Sequence, residues 1–137
     1  MTIEFFMPMI PPTVTLQEQK TGVRKTGARK GKPYRYDPSE LKNARAKFLA
    51  HLAAHVPKEP LSGAVGLQVL TGYPITGKHQ DGDWKTTKPD TDNTIKLLKD
   101  CMTRLHFWKD DAQVALEINM KQYAKIPGIS IRISELE

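Results

Sequence analysis

Between Lys88 and Gln113 the chain gathers five of its fifteen acidic residues: Asp90, Asp92, Asp100, Asp110 and Asp111. Asp90 and Asp92 stand two apart in Lys88-Pro89-Asp90-Thr91-Asp92-Asn93, and in an extended segment that spacing projects both carboxylates from one side of the backbone. A third carboxylate, delivered by the chain returning after one helix, would close a small oxygen-lined site. Such a site suits a hard divalent cation. Clustered carboxylates repel one another and hold on to protons unless a cation neutralises them. Mg²⁺, with Mn²⁺ as a substitute, binds a few carboxylates and keeps waters that a substrate phosphate can replace. It lowers the pKa of a coordinated water and orients it for in-line attack on phosphorus.

Lys96 comes one turn after Asp92 on the same predicted helix face, where its ammonium could stabilise charge on the transition state. The helix N-terminus beside Asp92 adds positive potential for a phosphate. Each half of the stretch also has a plain structural reading. Asp90-Thr91-Asp92-Asn93 can be a helix cap with a turn carboxylate beside it, and Asp110-Asp111 a solvated turn before a strand. The conjunction of both clusters around one helix that carries a lysine, in a molecule with a separate cationic arm, points to chemistry.

That arm is the other half of the argument. From Lys20 to Tyr36 there are seven basic residues, Lys20, Arg24, Lys25, Arg29, Lys30, Lys32 and Arg35, and no acidic one. The formal charge is +6, so removing that +7 leaves −1 for the rest. A cationic arm on a nearly neutral body is expected of a protein that holds a polyanion at one place. Lys85 and Lys88 supply a second basic loop next to the carboxylates. Trp84 in that loop either stacks on a base or covers a core edge. Trp108 reads mainly as a core plug.

The elements that must position these residues follow from periodicity. Ile3, Phe5 and Met7 alternate with Thr2, Glu4 and Phe6 as a strand that Pro8, Pro11 and Pro12 end. The basic arm reads as a loop or loose hairpin. Asp37-Pro38-Ser39-Glu40 has the signals of a helix start, and Leu41, Phe48, Leu52 and Val56 recur at helical spacing up to Pro57. Val65, Leu67 and Val69 mark a strand. Asp92 is the predicted cap of a second helix, whose buried stripe is Ile95, Leu98, Met102 and Leu105.

Val114, Leu116, Ile118 and Met120 then alternate with polar positions including Glu117 and Asn119. After Pro127-Gly128, Ile129, Ile131 and Ile133 do the same, and these last two runs are expected to pair as an antiparallel hairpin. The prediction is a single α+β domain over 1–137 with a mixed sheet, ordered strand, helix, strand, helix, strand, strand.

Two motifs carry no chemistry. Gly72 to Lys78 matches the spacing of a phosphate-binding loop, but His79 stands where Ser or Thr should hold magnesium, and a turn rather than a helix follows. His51 and His55 lie four apart without the glutamate of the zinc motif, and read as helix flank. The lone Cys101 excludes an internal disulfide and fits a reducing, cytoplasmic compartment. No stretch approaches the apolar length of a membrane helix, and the proline-broken start lacks the basic leader of a secretory signal.

These residues also carry a resemblance. Lys-Pro-Asp90-Thr-Asp92-Asn93 with Lys96 and Asp100, followed by Phe-Trp-Lys-Asp110-Asp111-Ala-Gln113-Val, resembles the signature of the RusA family of Holliday junction resolvases of phages and prophages. The similarity extends to Pro11-Pro12-Thr13 and to the expected closing hairpin, with Thr15 where an asparagine often stands. It implies a homodimeric, Mg²⁺-dependent endonuclease that binds branched DNA and nicks four-way junctions on opposing strands. It also implies metal ligation by Asp90, Asp92 and Asp111 and a catalytic Lys96. The choice of Asp111 over Asp110 rests on the resemblance alone, since alternation does not decide it. Two paired nicks in a two-fold junction independently call for two related active sites. The competing readings are a catalytically silent DNA-binding protein with the same arm, and a metal-dependent nucleotide phosphohydrolase.

Overall fold

A computed structural model describes residues 1–13, 20–23, 25–28, 30–36 and 39–137, with only the backbone of 20–21 and 33–36. Arg24, Arg29 and the expected cap Asp37-Pro38 lie outside the described residues, as do the side chains of Lys20 and Arg35.

The strands are β1 (Thr2–Pro8), β2 (Lys20–Val23), β3 (Pro33–Tyr36), β4 (Val65–Pro74), β5 (Val114–Ala124) and β6 (Gly128–Glu135). The helices are α1 (Ser39–Leu52) and α2 (Thr91–Arg104). Strands β1, β6, β4 and β5 form one sheet in that order, and β2 pairs with β3 in a separate two-stranded sheet. The architecture is the expected α+β with a mixed sheet, and the basic arm is an antiparallel hairpin.

One face of the four-stranded sheet meets both helices. Rows such as Phe5, Ile131 and Val69, or Ile3, Ile133 and Leu67, stand opposite one another across the strands. They pack against the core that includes Leu41, Phe48 and Leu52 of α1 and Ile95, Leu98 and Met102 of α2, with Ile3 and Phe5 half-buried at its edge. Phe107 and Trp108 are fully buried behind α2, where Trp108 Nε1 donates to Thr103 Oγ1 at 2.7 Å. Trp108 is therefore a core plug. The His55 ring stacks on Phe5 at 4.0 Å between centroids, so that histidine closes the end of the core.

The expected hairpin of the last two strands does not form. β6 inserts between β1 and β4, antiparallel to both, and β5 lies parallel to β4 at the sheet edge. β4 is the strand buried along most of its length, so it takes a central place and forces its neighbours apart. Residues 125–127 cross the end of β4 where the backbone is tightly packed. A Cβ added at Gly72 would come within 2.7 Å of the Ala124 Cβ, and one at Gly128 would overlap the Phe6 ring.

β5 also turns the other way from its apolar pattern. Leu116 and Ile118 are 52% and 45% exposed on the face without helices, while Glu117, Asn119 and Lys121 point to the helix side, level with Leu67, Val69 and Thr71. That face is where the candidate site is built.

Candidate active site at the start of the second helix

α2 begins two residues earlier than the capping signal suggests. Asp90 holds the cap position with extended backbone (φ −69°, ψ 150°), and Thr94 N donates to its carbonyl at 3.3 Å. Asp92 is thus the second helical residue rather than the cap, and the acidic pair is not an extended i, i+2 pair. Both carboxylates still belong to one helix start. The Asp90 side chain makes no capping bond, and both aspartates are exposed. Among the described residues no hydrogen bond or ion pair engages the carboxylates of Asp90, Asp92 or Asp111, or the Lys96 ammonium. Asp100 is engaged, with Arg104 Nε at 3.1 Å and Arg45 Nε at 3.8 Å.

The segment leading into α2 is pinned from β5. Lys121 Nζ donates to the carbonyls of Thr87 and Pro89 at 2.7 Å each, and Asn119 Nδ2 donates to Thr91 O at 2.9 Å. Lys99 Nζ, further along α2, pairs with Glu117 Oε1 at 2.9 Å. Asn119 and Lys121 were no part of the sequence-predicted site. Their signal in the sequence is only a polar alternation, which reads as a solvated strand face.

Asp110 and Asp111, alike in the sequence, are separated by their environment. Asp110 caps the short 3-10 turn Asp111–Gln113, accepting from Ala112 N at 2.9 Å. Gln113 answers with Oε1 on Lys109 N at 2.9 Å and Asp110 N at 3.2 Å, and its Nε2 donates to Leu61 O and Gly63 O. Asp111 faces solvent.

That turn lies beyond the far end of α2. Residues 105–108 wrap the helix C-terminus, with Phe107 N on Met102 O at 3.0 Å, and β5 then runs back until Asn119 meets Thr91. α2 has 14 residues, about 21 Å of helix at 1.5 Å per residue. One chain therefore brings Asp90, Asp92 and Lys96 onto a single helix but leaves Asp111 near its opposite end. Consistently, among the described residues no three His, Cys, Asp or Glu side chains are close enough to share an ion.

The loop before α2 carries the second basic group. Its backbone joins the edge of β5: Trp84 bridges Gln122, Lys85 N donates to Lys121 O at 3.1 Å, and Gly82 N to Tyr123 O at 2.9 Å. Lys85 Nζ sits 5.2 Å and 5.1 Å from the ring centroids of Tyr73 and Tyr123 and donates to Thr87 Oγ1. Burial pushes the Tyr73 phenol up, whereas the Thr87 hydroxyl and the Lys85 charge bring the Tyr123 phenol down. Lys88 is exposed beside Pro89, and Lys25, Lys30 and Lys32 are exposed on the β2–β3 arm. Trp84 is 63% exposed, so it covers no core edge. The phosphate-loop spacing at Gly72 to Lys78 falls on the end of β4 and a turn, with no helix after it.

A family model described as endodeoxyribonuclease RusA matches residues 11–134. A protein of Lactococcus phage r1t named crossover junction endodeoxyribonuclease rusA is 34% identical over 135 residues, spanning 97% of this chain and 96% of its own. An uncharacterized protein, YqaN, of Bacillus subtilis strain 168 is 28% identical over 141 residues, spanning 95% of this chain and 99% of its own.

Proposed function

The chain belongs to the RusA family of endodeoxyribonucleases, and from that premise we propose that it resolves four-way DNA junctions by Mg²⁺-dependent phosphodiester hydrolysis, working as a homodimer. The observation that carries the chemistry is the pair of unengaged carboxylates, Asp90 and Asp92, at the start of the helix that bears Lys96. Mg²⁺ is commonly held by one or two carboxylates plus substrate phosphate and water, so this donor set fits it. Bound there, the ion would supply a low-pKa water and neutralise phosphate charge.

The chain's own groups do the rest. The first N–H groups of α2 and the Lys96 ammonium face the scissile phosphate and stabilise the charge that grows on it. Lys85 and Lys88 hold neighbouring phosphates. The lysines and arginines of the β2–β3 arm supply most of the attraction for the DNA, which carboxylates alone would repel.

A dimer also completes the acidic set. A two-fold axis across the middle of α2 sets two such helices side by side in opposite directions, so that Asp90 and Asp92 of one protomer meet the partner subunit's Asp111. Two equivalent sites result, as paired nicks require. The position of β5 at the sheet edge supports this arrangement. Among the described residues its outer edge is bonded to the Gly82–Lys85 loop from Lys121 to Tyr123, leaving Val114 to Asn119 open to an antiparallel copy.

The test is incubation with synthetic four-way junctions, linear duplex and nucleotides, with and without Mg²⁺, for the wild type and Asp90→Asn. Paired nicks in junctions only, lost in the variant while binding persists, is the expected result. Binding with no nicking by the wild type would leave a silent branched-DNA binder. Nucleotide turnover without junction cleavage would leave a phosphohydrolase.

A further inference from the structure

We infer that Lys121 and Asn119 are positioning residues that hold the acidic turn rigid before any metal or DNA arrives. The inference rests on the function proposed above for its catalytic consequence, but its structural half stands alone. Three backbone carbonyls around Asp90 are tied to one strand: Thr87 O and Pro89 O by Lys121, and Thr91 O by Asn119. Asp90 itself has no capping bond, so nothing in its own side chain fixes it. The two donors stand two apart on β5 and therefore share its helix-side face. Lys121 is doubly committed, since its own carbonyl accepts from Lys85 N at 3.1 Å while its ammonium reaches forward to the turn.

An ammonium on two carbonyls forms charge-assisted bonds, stronger than neutral ones and partly shielded here by the side chains around it. Ordering the turn in advance removes an entropic cost from metal binding, because the carboxylates no longer lose backbone freedom when they ligate. The ammonium touches the lead-in backbone and not the carboxylates, so its effect runs through position.

Glu117 provides the control, being the next helix-side residue on the same strand. Its pair with Lys99 docks α2 on β5 without touching the acidic turn. Lys99→Met should therefore lower the melting temperature about as much as Lys121→Met does, while leaving the turn in place.

The test uses the full-length metal-free protein and amide hydrogen exchange, followed by cleavage titrated with Mg²⁺. Lys121→Met should raise exchange at Thr94, whose N–H is bonded to the Asp90 carbonyl, about tenfold, the loss of a charge-assisted pair, with Leu97 to Cys101 unchanged. The Mg²⁺ concentration for half-maximal cleavage should rise while junction affinity without metal stays the same. Lys121→Arg, which keeps a donor fork, should restore part of both, and Lys99→Met should alter neither. Exchange that rises uniformly along the chain, or a Lys99→Met variant that matches Lys121→Met in Mg²⁺ demand, would overturn the inference. If the wild type shows no metal-dependent cleavage, the proposed function fails, and a local exchange change in Lys121→Met still supports the clamp.

Discussion

Asp110 and Gln113 close a reciprocal cap, in which Gln113 Oε1 accepts from Asp110 N at 3.2 Å while Asp110 holds the turn through Ala112 N. The adjacent Asp111 has no such employment. Two neighbouring aspartates thereby acquire different jobs, one local and structural, the other free for a ligand.

Their substitutions should separate accordingly. Asp110→Ala should cost about 1 kcal/mol of stability, the usual worth of a lost cap, and change cleavage little beyond that. Asp111→Asn should leave the melting temperature within about a degree yet cut the cleavage rate by about a hundredfold or more, as removal of a group acting on developing charge does. Thermal denaturation with a junction cleavage assay decides it. The reverse pattern would reassign the ligand to Asp110.

Mixing two dead variants tests whether sites are shared between protomers. If Asp111 serves the partner's site, a heterodimer of Asp90→Asn and Asp111→Asn chains contains one site with both defects and one with neither. Co-expressed and isolated with two different tags, it should nick one strand. If each chain builds its own site, both sites carry one defect and the heterodimer stays inactive.

The cationic arm should show itself in salt dependence. Neutralising Lys25, Lys30 and Lys32 together, all exposed, should weaken junction binding and flatten the plot of log affinity against log salt. Each lost phosphate contact contributes about 0.9 to that slope. Titrations between low and moderate salt measure it, and an unaltered slope would remove the arm from the interface.

Cys101 predicts a pH effect on stability. Burial first, then the Asp100 charge, pushes its thiol up from 9.0 to about 12, against the opposing pull of Arg104 and Arg45. The folded state then keeps a proton that the unfolded chain releases, so stability is lost as pH rises through the gap between the two values. The slope approaches at most about 1.4 kcal/mol per pH unit for one such group. Denaturant melts of the wild type and Cys101→Ala from pH 8 to 11 should converge as pH rises. At pH 8 the folded thiol, fully buried, should resist aromatic disulfide reagents until the chain unfolds.

The sequence was sufficient for what is local. Period-two runs located the strands, helical spacing located the stripe of α2, and the grouping of charge located the acidic stretch and the arm. Each of these is decided by side chains a few residues apart, whose directions the backbone geometry dictates. Even there the start of α2 shifted by two residues, because Asp90 and Asp92 are equally good by composition and only backbone angles distinguish cap from first turn.

Tertiary structure decided the relations between distant segments. β6 lies between β1 and β4 because the strand most deeply buried takes the centre, which alternation within β5 and β6 does not reveal. β5 presents its polar face to the helices because, at the edge of the sheet, that face has carbonyls and a lysine to satisfy there, while Leu116 and Ile118 are left outside. Lys121 reaches Pro89 across 32 residues of sequence and Asn119 reaches Thr91 across 28. The same fold carries Asp111 to the far end of α2. No periodicity encodes such meetings, since they depend on which surfaces bury one another, and that is settled by the chain as a whole.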